Sequence, residues 1–255
     1  MSIRRFAQSV LHRFGVQLVR NTRPRPRLGF EHDPNASVPA SFRSELSTDN
    51  PRLVELRRRY AAVSLPMARH TWWTPEYVDK TLDLVHFRGD NAYVWQTRHT
   101  LGASGLRYYL YARDISERDS LGFLPRLGED GAFGAWVFRF HRFGAVSRDR
   151  LDSANELGFL ARHGALGDGA PLRILDIGAG YGRLAHRCHE VLPNLERYDC
   201  VDAVPESTFL CEVYLRFREC LDRTRVVAID EISRLGDARP DLALNVHSFS
   251  EMSRE

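Results

Sequence analysis

The sequence predicts an α/β protein in which a doubly wound parallel sheet follows a mainly helical region. From Leu172 onward, short apolar runs alternate with apolar stripes at helical spacing, which is the order of parallel strands and crossover helices. A glycine-rich turn follows the first apolar run, at the strand-to-helix junction where open α/β sheets bind their ligands. Residues 41–170 mainly repeat apolar side chains near every 3.6 positions, so we expect helices there.

The composition is that of a globular chain with an ample core. Of 255 residues, 43% are hydrophobic and 27% are charged, which excludes disordered and collagen-like classes. No apolar run approaches the ~20 residues of a spanning helix. The four cysteines form no CxxC pair, so neither zinc nor dithiol chemistry is indicated. We expect Cys188, Cys211 and Cys220 to be small buried residues of helices.

The net charge of +3 conceals an uneven distribution, because residues 1–30 carry seven arginines and no acid. Residues 3–18 wind into a basic amphipathic helix. Three roles suit such a helix: contact of residues 3–20 with an anionic membrane surface, docking on its own protein, or targeting. Prolines at positions 24, 26, 34 and 39 make the rest of residues 1–40 a linker.

The slightly acidic remainder lacks an aromatic-interleaved basic face, so we expect no nucleic-acid partner. The expected location is cytoplasmic, with the inner membrane surface as a peripheral alternative.

Three helices are predicted within residues 41–170, at Pro51–Val63, Thr74–Phe87 and Leu101–Arg113. A turn at residues 128–134 and a short strand within Phe133–Phe143 follow. Ser153 and Glu156 have capping-box spacing, which predicts a helix from there to Arg162. Aromatic side chains of this region suit either the core or an acceptor pocket with a lid: Trp72, Trp73, Trp95, Tyr108, Tyr109 and Tyr111.

Residues 171–255 form the predicted ligand-binding sheet. Its strands are expected at Arg173–Ile177, Tyr198–Val204, Arg225–Ile229 and Leu242–Val246. The expected strand order is 3-2-1-4, which leaves the fourth strand at an edge. An exposed edge can pair with another chain, so association through it is a further expectation.

The glycine loop runs from Gly178 through Ala179, Gly180 and Tyr181 to Gly182, two residues after Asp176. A dinucleotide loop would require glycine at position 183, where Arg183 stands. The D-x-G-x-G-x-G pattern resembles the first motif of class I S-adenosylmethionine-dependent methyltransferases. In that resemblance, Asp176 organises the loop and the methionine end of the cofactor, while the glycines let the backbone approach the nucleoside.

Two further acids follow predicted strands. Asp202 lies 20 residues after Gly182, where a carboxylate can accept both ribose hydroxyls; a helix cap or turn is the alternative. Asp230 ends the third strand, a position that contacts adenine in this fold, although a surface turn suits it nearly as well. Asn245 and Ser248 are expected to bridge backbone or cofactor groups.

Longer motifs sharpen the resemblance. From about residue 50 onward the chain looks like the bacterial sugar O-methyltransferases of polysaccharide and glycosylated natural-product pathways. The motifs that carry this likeness are residues 147–149, 151–153, 175–187, 201–210 and 245–252. The resemblance implies a Rossmann-like methyltransferase sheet, S-adenosylmethionine as cofactor, and methyl transfer to a sugar hydroxyl of a glycan or glycosylated metabolite.

His247 is the candidate general base, because it follows the fourth strand and its imidazole suits proton transfer near neutrality. Glu251 is the second candidate. Paired carboxylates at metal-ligand spacing do not accompany His247, so no metal is expected. His186 and His189 are expected on the solvated side of their helix.

A class I methyltransferase domain continues beyond its fourth strand, whereas this sequence stops at Glu255. The sequence therefore predicts an incomplete sheet and little turnover by the chain itself. The competing function is a non-catalytic remnant that binds cofactor weakly or binds a partner protein. A nicotinamide-dependent oxidoreductase is disfavoured by Arg183.

Overall fold

The computed structural model describes residues 30–31, 38–65, 72–89, 104–167, 169–236 and 239–251. The helix predicted over residues 3–18 and Trp95 lie outside these ranges. Within them, no helix combines the length and the apolar character that crossing a bilayer requires.

Three helices of the first region, α2, α3 and α6, begin at a side-chain cap. Asn50 caps α2 by accepting a hydrogen bond from Arg52 N at 2.8 Å, and Pro51 occupies the first turn, where no amide is needed. Leu53 and Leu56 form the buried face of this helix. The described helices are α1 (Ala40–Arg43), α2 (Pro51–Ala61), α3 (Pro75–Thr81), α4 (Ser104–Arg118), α5 (Phe123–Arg126) and α6 (Arg148–Arg162).

The prediction of a helix over Thr74–Phe87 is wrong in its second half. The Asp83 carboxylate accepts hydrogen bonds from the backbone amides of Val85 and His86 at 2.9 and 3.0 Å. These bonds replace helical ones and hold a turn. The helix predicted at Leu101–Arg113 extends beyond its predicted end to Arg118, and the Asp114–Arg118 ion pair lies in its last turn.

The predicted capping box at Ser153 and Glu156 is also wrong. Ser147 caps α6 instead, accepting from Arg150 N at 3.1 Å, so the helix begins six residues before the predicted start. Ser153 lies inside the helix, where its hydroxyl donates to Asp149 O at 2.7 Å. Glu156 pairs with Arg183 of another helix rather than with its own amides.

A small antiparallel sheet precedes α6. It contains β1 (Phe30–Glu31), β2 (Val137–Phe140) and β3 (Gly144–Val146), in that order. The strand predicted within Phe133–Phe143 is thereby confirmed.

The second sheet is parallel and has the predicted order. Its strands are β4 (Leu172–Ile177), β5 (Leu195–Val201), β6 (Thr224–Val227) and β7 (Leu242–Leu244), arranged β6-β5-β4-β7 with all pairs parallel. Two helices pack on it, α7 (Arg183–Val191) and α8 (Pro205–Phe217). The α/β fold class is therefore confirmed.

The cysteines are buried free thiols. Cys188 and Cys211 lie in helices as predicted, whereas Cys220 follows the end of α8. His186 contradicts the expectation of a solvated side chain: it is 6% exposed and shares a hydrogen bond of 3.1 Å with the Tyr214 hydroxyl.

A buried ion network joins the helical region to α7. Arg88 is fully buried; its Nε donates to Asp149 at 2.7 Å and its Nη2 to Glu129 at 2.8 Å. Arg187, also buried, lies 3.5 Å from Glu129. We call these four residues the Arg88 network. The Arg88 guanidinium holds the pKa values of both carboxyls below their usual range despite burial, which alone would raise them. Arg187 adds to the effect at Glu129, and the Tyr181 hydroxyl adds to it at Asp149.

Replacing Arg88 with methionine should destabilise the fold by about 3–5 kcal/mol, because two buried carboxylates would lose their main partner. Urea unfolding of the variant measures this loss. Arg113→Ala breaks an exposed pair with Glu117 at 3.6 Å and should change stability by less than about 0.5 kcal/mol. A loss below about 1 kcal/mol for Arg88→Met would contradict the role of the network.

Candidate functional site

A cavity of about 910 Å³ opens at the carboxyl ends of the parallel strands. Its volume is that of a pocket for a cofactor-sized ligand. The glycine loop, the ends of β4 and β5, the segment after β7 and one face of α6 contribute the walls. The residues that line the cavity include Trp73, Tyr111, Arg148, Asp152, Glu156, Asp176, Gly180, Arg183, Asp202, Val204, Ile229, Ile232, His247 and Glu251.

The three glycines of the loop have different neighbours. A side chain at Gly178 would meet the Ser248 hydroxyl at 2.1 Å, and one at Gly182 would meet Cys211 Sγ at 2.8 Å. A side chain at Gly180 would meet nothing within 4 Å. Gly178 and Gly182 thus let other parts of the chain pack closely, while Gly180 leaves open space beside the cavity.

Asp202 connects the glycine loop to the end of β5. Its carboxylate accepts from Gly180 N at 2.9 Å and from Val204 N at 2.9 Å. The loop is fixed further by Gly178 N and Ala179 N, which donate to Val201 O at 2.8 and 3.1 Å. Asp202 is therefore a turn residue that also lines the cavity, and its contact with ribose hydroxyls stays a prediction.

Two carboxyls of the cavity lining, those of Asp176 and Asp202, have pKa values raised by burial. Burial raises the pKa of Asp176 to about 7, although a hydrogen bond of 2.8 Å from the Tyr198 hydroxyl acts to lower it. Burial likewise raises the pKa of Asp202 to about 6, with the charge of Glu251 adding to the effect. A cation bound between them would favour their ionised forms, so its binding would release protons below about pH 7.

Tyr181 and Arg183 attach the loop to α6. The Tyr181 hydroxyl donates to Asp149, which also receives Arg88. Arg183 donates to both oxygens of Glu156 at 2.8 Å. Arg183, which departs from the dinucleotide pattern, thus forms a salt bridge of two hydrogen bonds between α7 and α6.

The segment after β7 folds over the end of β4. Asn245 Nδ2 and Ser248 Oγ both donate to Ile177 O, at 2.8 and 2.9 Å, so both bridge backbone groups. Asn245 itself is not brought into the lining.

His247 lies at the mouth of the cavity. Its φ of 71° is a left-handed conformation that a non-glycine residue rarely adopts. The carbonyl of His247 accepts from Ser250 N at 2.9 Å and from Ser250 Oγ at 2.6 Å, which holds this turn. The side chain is exposed, and its imidazole receives no hydrogen bond from the described residues. Strain of this kind is concentrated at functional sites.

Glu251 lines the cavity with a fixed carboxylate. Trp73 Nε1 donates to its Oε2 at 2.7 Å, and Trp72 N donates to its carbonyl at 3.3 Å. Asp230, by contrast, is not brought into the lining. Arg59 holds its carboxylate through bonds of 2.7 and 2.8 Å.

The predicted aromatic residues that the structure describes have three kinds of surroundings. Trp73 and Tyr111 line the cavity, whereas Tyr108 packs on Phe138 and Tyr109 on Phe140. Trp72 is 78% exposed.

The face of α6 that lines the cavity was not predicted as part of the site. Asp152 accepts from the Tyr111 hydroxyl at 2.9 Å and from Arg148 at 2.8 Å. The resemblance motifs contain both Arg148 and Asp152, so they were the signal in the sequence that could have placed this face in the site.

In the part of the chain that the structure describes, the lining carries six carboxylates and two guanidinium groups, and each guanidinium pairs with an acid. No three His, Cys, Asp or Glu side chains among these residues are placed to hold a metal ion.

Comparison with known proteins does not assign the chain to a family. No family model matches the chain, and no match is found among curated proteins. A solved structure described as a "putative transferase" from Pyrococcus horikoshii is similar over 76% of this chain and 72% of that chain, with 12% identity and a TM-score of 0.31. Function is therefore inferred from the cavity and the sequence motifs.

Alanine at Gly182 and at Gly180 should have unequal effects. Gly182→Ala combines backbone strain with overlap on Cys211 and Leu215, so we expect a loss of about 2–4 kcal/mol. Gly180→Ala adds only the strain of a positive φ and should cost about 1–2 kcal/mol. Denaturant unfolding of both variants tests this order, and equal losses would contradict it.

Proposed function

We propose that the cavity binds S-adenosylmethionine and that the protein transfers its methyl group to a hydroxyl of a sugar-containing acceptor. One observation carries the cofactor assignment: the open space at Gly180 adjoins the carboxylate of Asp202, inside an acidic cavity of suitable volume. The acceptor class comes from the resemblance of the longer motifs.

The residues present suit the cofactor part by part. The side chains of Val204, Ile229 and Ile232 supply apolar surface for a purine ring. Asp202 retains lone pairs for ribose hydroxyls beyond its two amide bonds. Asp176 offers a carboxylate for the ammonium group of the methionine end. The excess of carboxylates in the described lining favours a cationic ligand over the pyrophosphate of a dinucleotide.

S-adenosylmethionine, when bound, supplies an electrophilic methyl group. Positioning the acceptor oxygen in line with that carbon provides much of the rate. His247, at the mouth of the cavity, accepts the hydroxyl proton on an imidazole nitrogen in this proposal. Glu251 is held by Trp73 at 2.7 Å and is the alternative proton acceptor.

The α6 face suggests a neutral acceptor. Arg148 and Arg183 are paired with Asp152 and Glu156, so the described lining offers no guanidinium without an acidic partner to a phosphate group. Carboxylate and guanidinium groups beside Trp73 can instead bind hydroxyls, with the indole facing a sugar ring.

Calorimetry tests the cofactor assignment. S-adenosylmethionine or S-adenosylhomocysteine should bind in preference to NAD, and binding of S-adenosylmethionine should release protons at pH 6.5. Asp202→Ala should weaken binding by ~1.5–3 kcal/mol through lost charge-assisted hydrogen bonds. Gly180→Val should abolish binding, because its side chain would enter the open space. Tighter binding of NAD, or parent-like binding by both variants, would refute the assignment.

The role of His247 is tested by turnover in a complete, active version of the protein, with an acceptor that this version methylates. His247→Ala should lower turnover by ~10²- to 10⁴-fold and leave cofactor affinity nearly unchanged, since its contact is made to the acceptor. Equal losses of cofactor binding and turnover would make His247 structural. Full activity would assign the proton to Glu251 or to solvent.

A further inference from the structure

The hydroxyl of Tyr60 joins two segments that wall the nucleoside half of the cavity. Ile229 N donates to Tyr60 Oη at 3.1 Å, and Tyr60 Oη lies 2.6 Å from Thr208 Oγ1. The same hydroxyl lies 3.3 Å from the carbonyl oxygen of Asp202. Asp202 follows β5 and Ile229 follows β6, and these strands are neighbours in the sheet. One side chain thus spans the gap between the two strand ends.

Arg59, the preceding residue, holds the same wall from outside. Besides its two bonds to Asp230, it contacts Glu231 at 3.1 Å. Both acids belong to the 3-10 helix Ile229–Leu235, which contributes Ile229 and Ile232 to the cavity. The end of α2 therefore contacts and holds a cavity wall that belongs to the parallel-sheet region.

We infer that Tyr60 is a positioning residue for the nucleoside. Its hydroxyl sets the distance between Asp202, which would contact the ribose, and Ile229, which would contact the purine. We call the space between these two residues the nucleoside slot. This inference rests on the proposed function, because it requires an adenosine moiety in that slot. Burial raises the pKa of Tyr60 to about 12, which keeps the hydroxyl protonated and able to donate throughout the neutral range.

The bridge also orients the carboxylate of Asp202. Its side chain is held by Gly180 N and Val204 N, and its carbonyl by Tyr60. Removing the Tyr60 hydroxyl frees one of these restraints and leaves the amide of Ile229 without its acceptor. Both changes act on groups that would contact the nucleoside, although Tyr60 itself is not in the cavity lining.

Tyr60→Phe is the direct test, with S-adenosylhomocysteine as the probe. The dissociation constant should rise about fivefold, the effect of one well-placed hydrogen bond. Tyr214→Phe is the matched control, because it also deletes a hydroxyl hydrogen bond, to His186 at 3.1 Å, on a residue outside the lining. The control should lower the melting temperature and leave affinity within twofold of the parent.

A double-variant cycle separates positioning from general destabilisation. If Tyr60 acts through Asp202, then Tyr60→Phe should weaken binding less in an Asp202→Ala background than in the parent. Thr208→Val removes one of the three partners of the Tyr60 hydroxyl and should shift affinity in the same direction, which tests the bridge even if Tyr60→Phe does not fold.

The outcomes are distinguishable. A parent protein that binds no S-adenosylhomocysteine would refute the proposed function. Parent-like affinity in both Tyr60→Phe and Thr208→Val would overturn the inference and leave that function standing. Equal affinity losses in Tyr60→Phe and Tyr214→Phe, or an unchanged effect in the Asp202→Ala background, would show that the hydroxyl is only structural.

Discussion

The buried guanidinium of Arg88 links the helical region to the glycine loop. Its bond to Asp149 places a charge at the start of α6, and Tyr181 of the loop donates to that same carboxylate. Because an unpaired buried charge is far more costly than a paired one, this arrangement is stable only when all its members are present. The conformation of the ligand-binding loop consequently depends on residues that lie outside the parallel sheet.

The cavity is organised around negative charge. Asp176 and Asp202 are buried near other acids, which makes their ionised forms costly in the absence of a ligand. The positive groups nearby, Arg148 and Arg183, are already paired with residues of α6. A ligand carrying a positive charge would relieve this imbalance, whereas a pyrophosphate would increase it. The electrostatics of the cavity therefore supports the proposed cationic ligand independently of the glycine pattern.

The sequence was sufficient where structure depends on local pattern. Apolar periodicity located the parallel strands, and the fold implied by the resemblance gave their order. The loop motif located Gly180, and the acid after the second predicted strand located Asp202; both line the cavity. The sequence did not predict contacts made by distant residues. Gly182 packs closely against Cys211, and Asp230 is held by Arg59, 171 positions away in the chain. The Ser153 motif has capping spacing, but Ser147 supplies an earlier cap. Tyr60 offered no local signal, since its partners come from three remote segments.

The contacts of α2 with the strand ends also bear on how the protein is made. Tyr60 and Ile229 are 169 positions apart, so Tyr60 leaves the ribosome long before its partner. At ~5–20 residues per second, that interval is on the order of ten seconds or more. During it, α2 has its own apolar face, Leu53 and Leu56, but not the surface it finally covers. The cavity wall that Tyr60 and Ile229 join therefore stays incomplete during synthesis until Ile229 has left the ribosome.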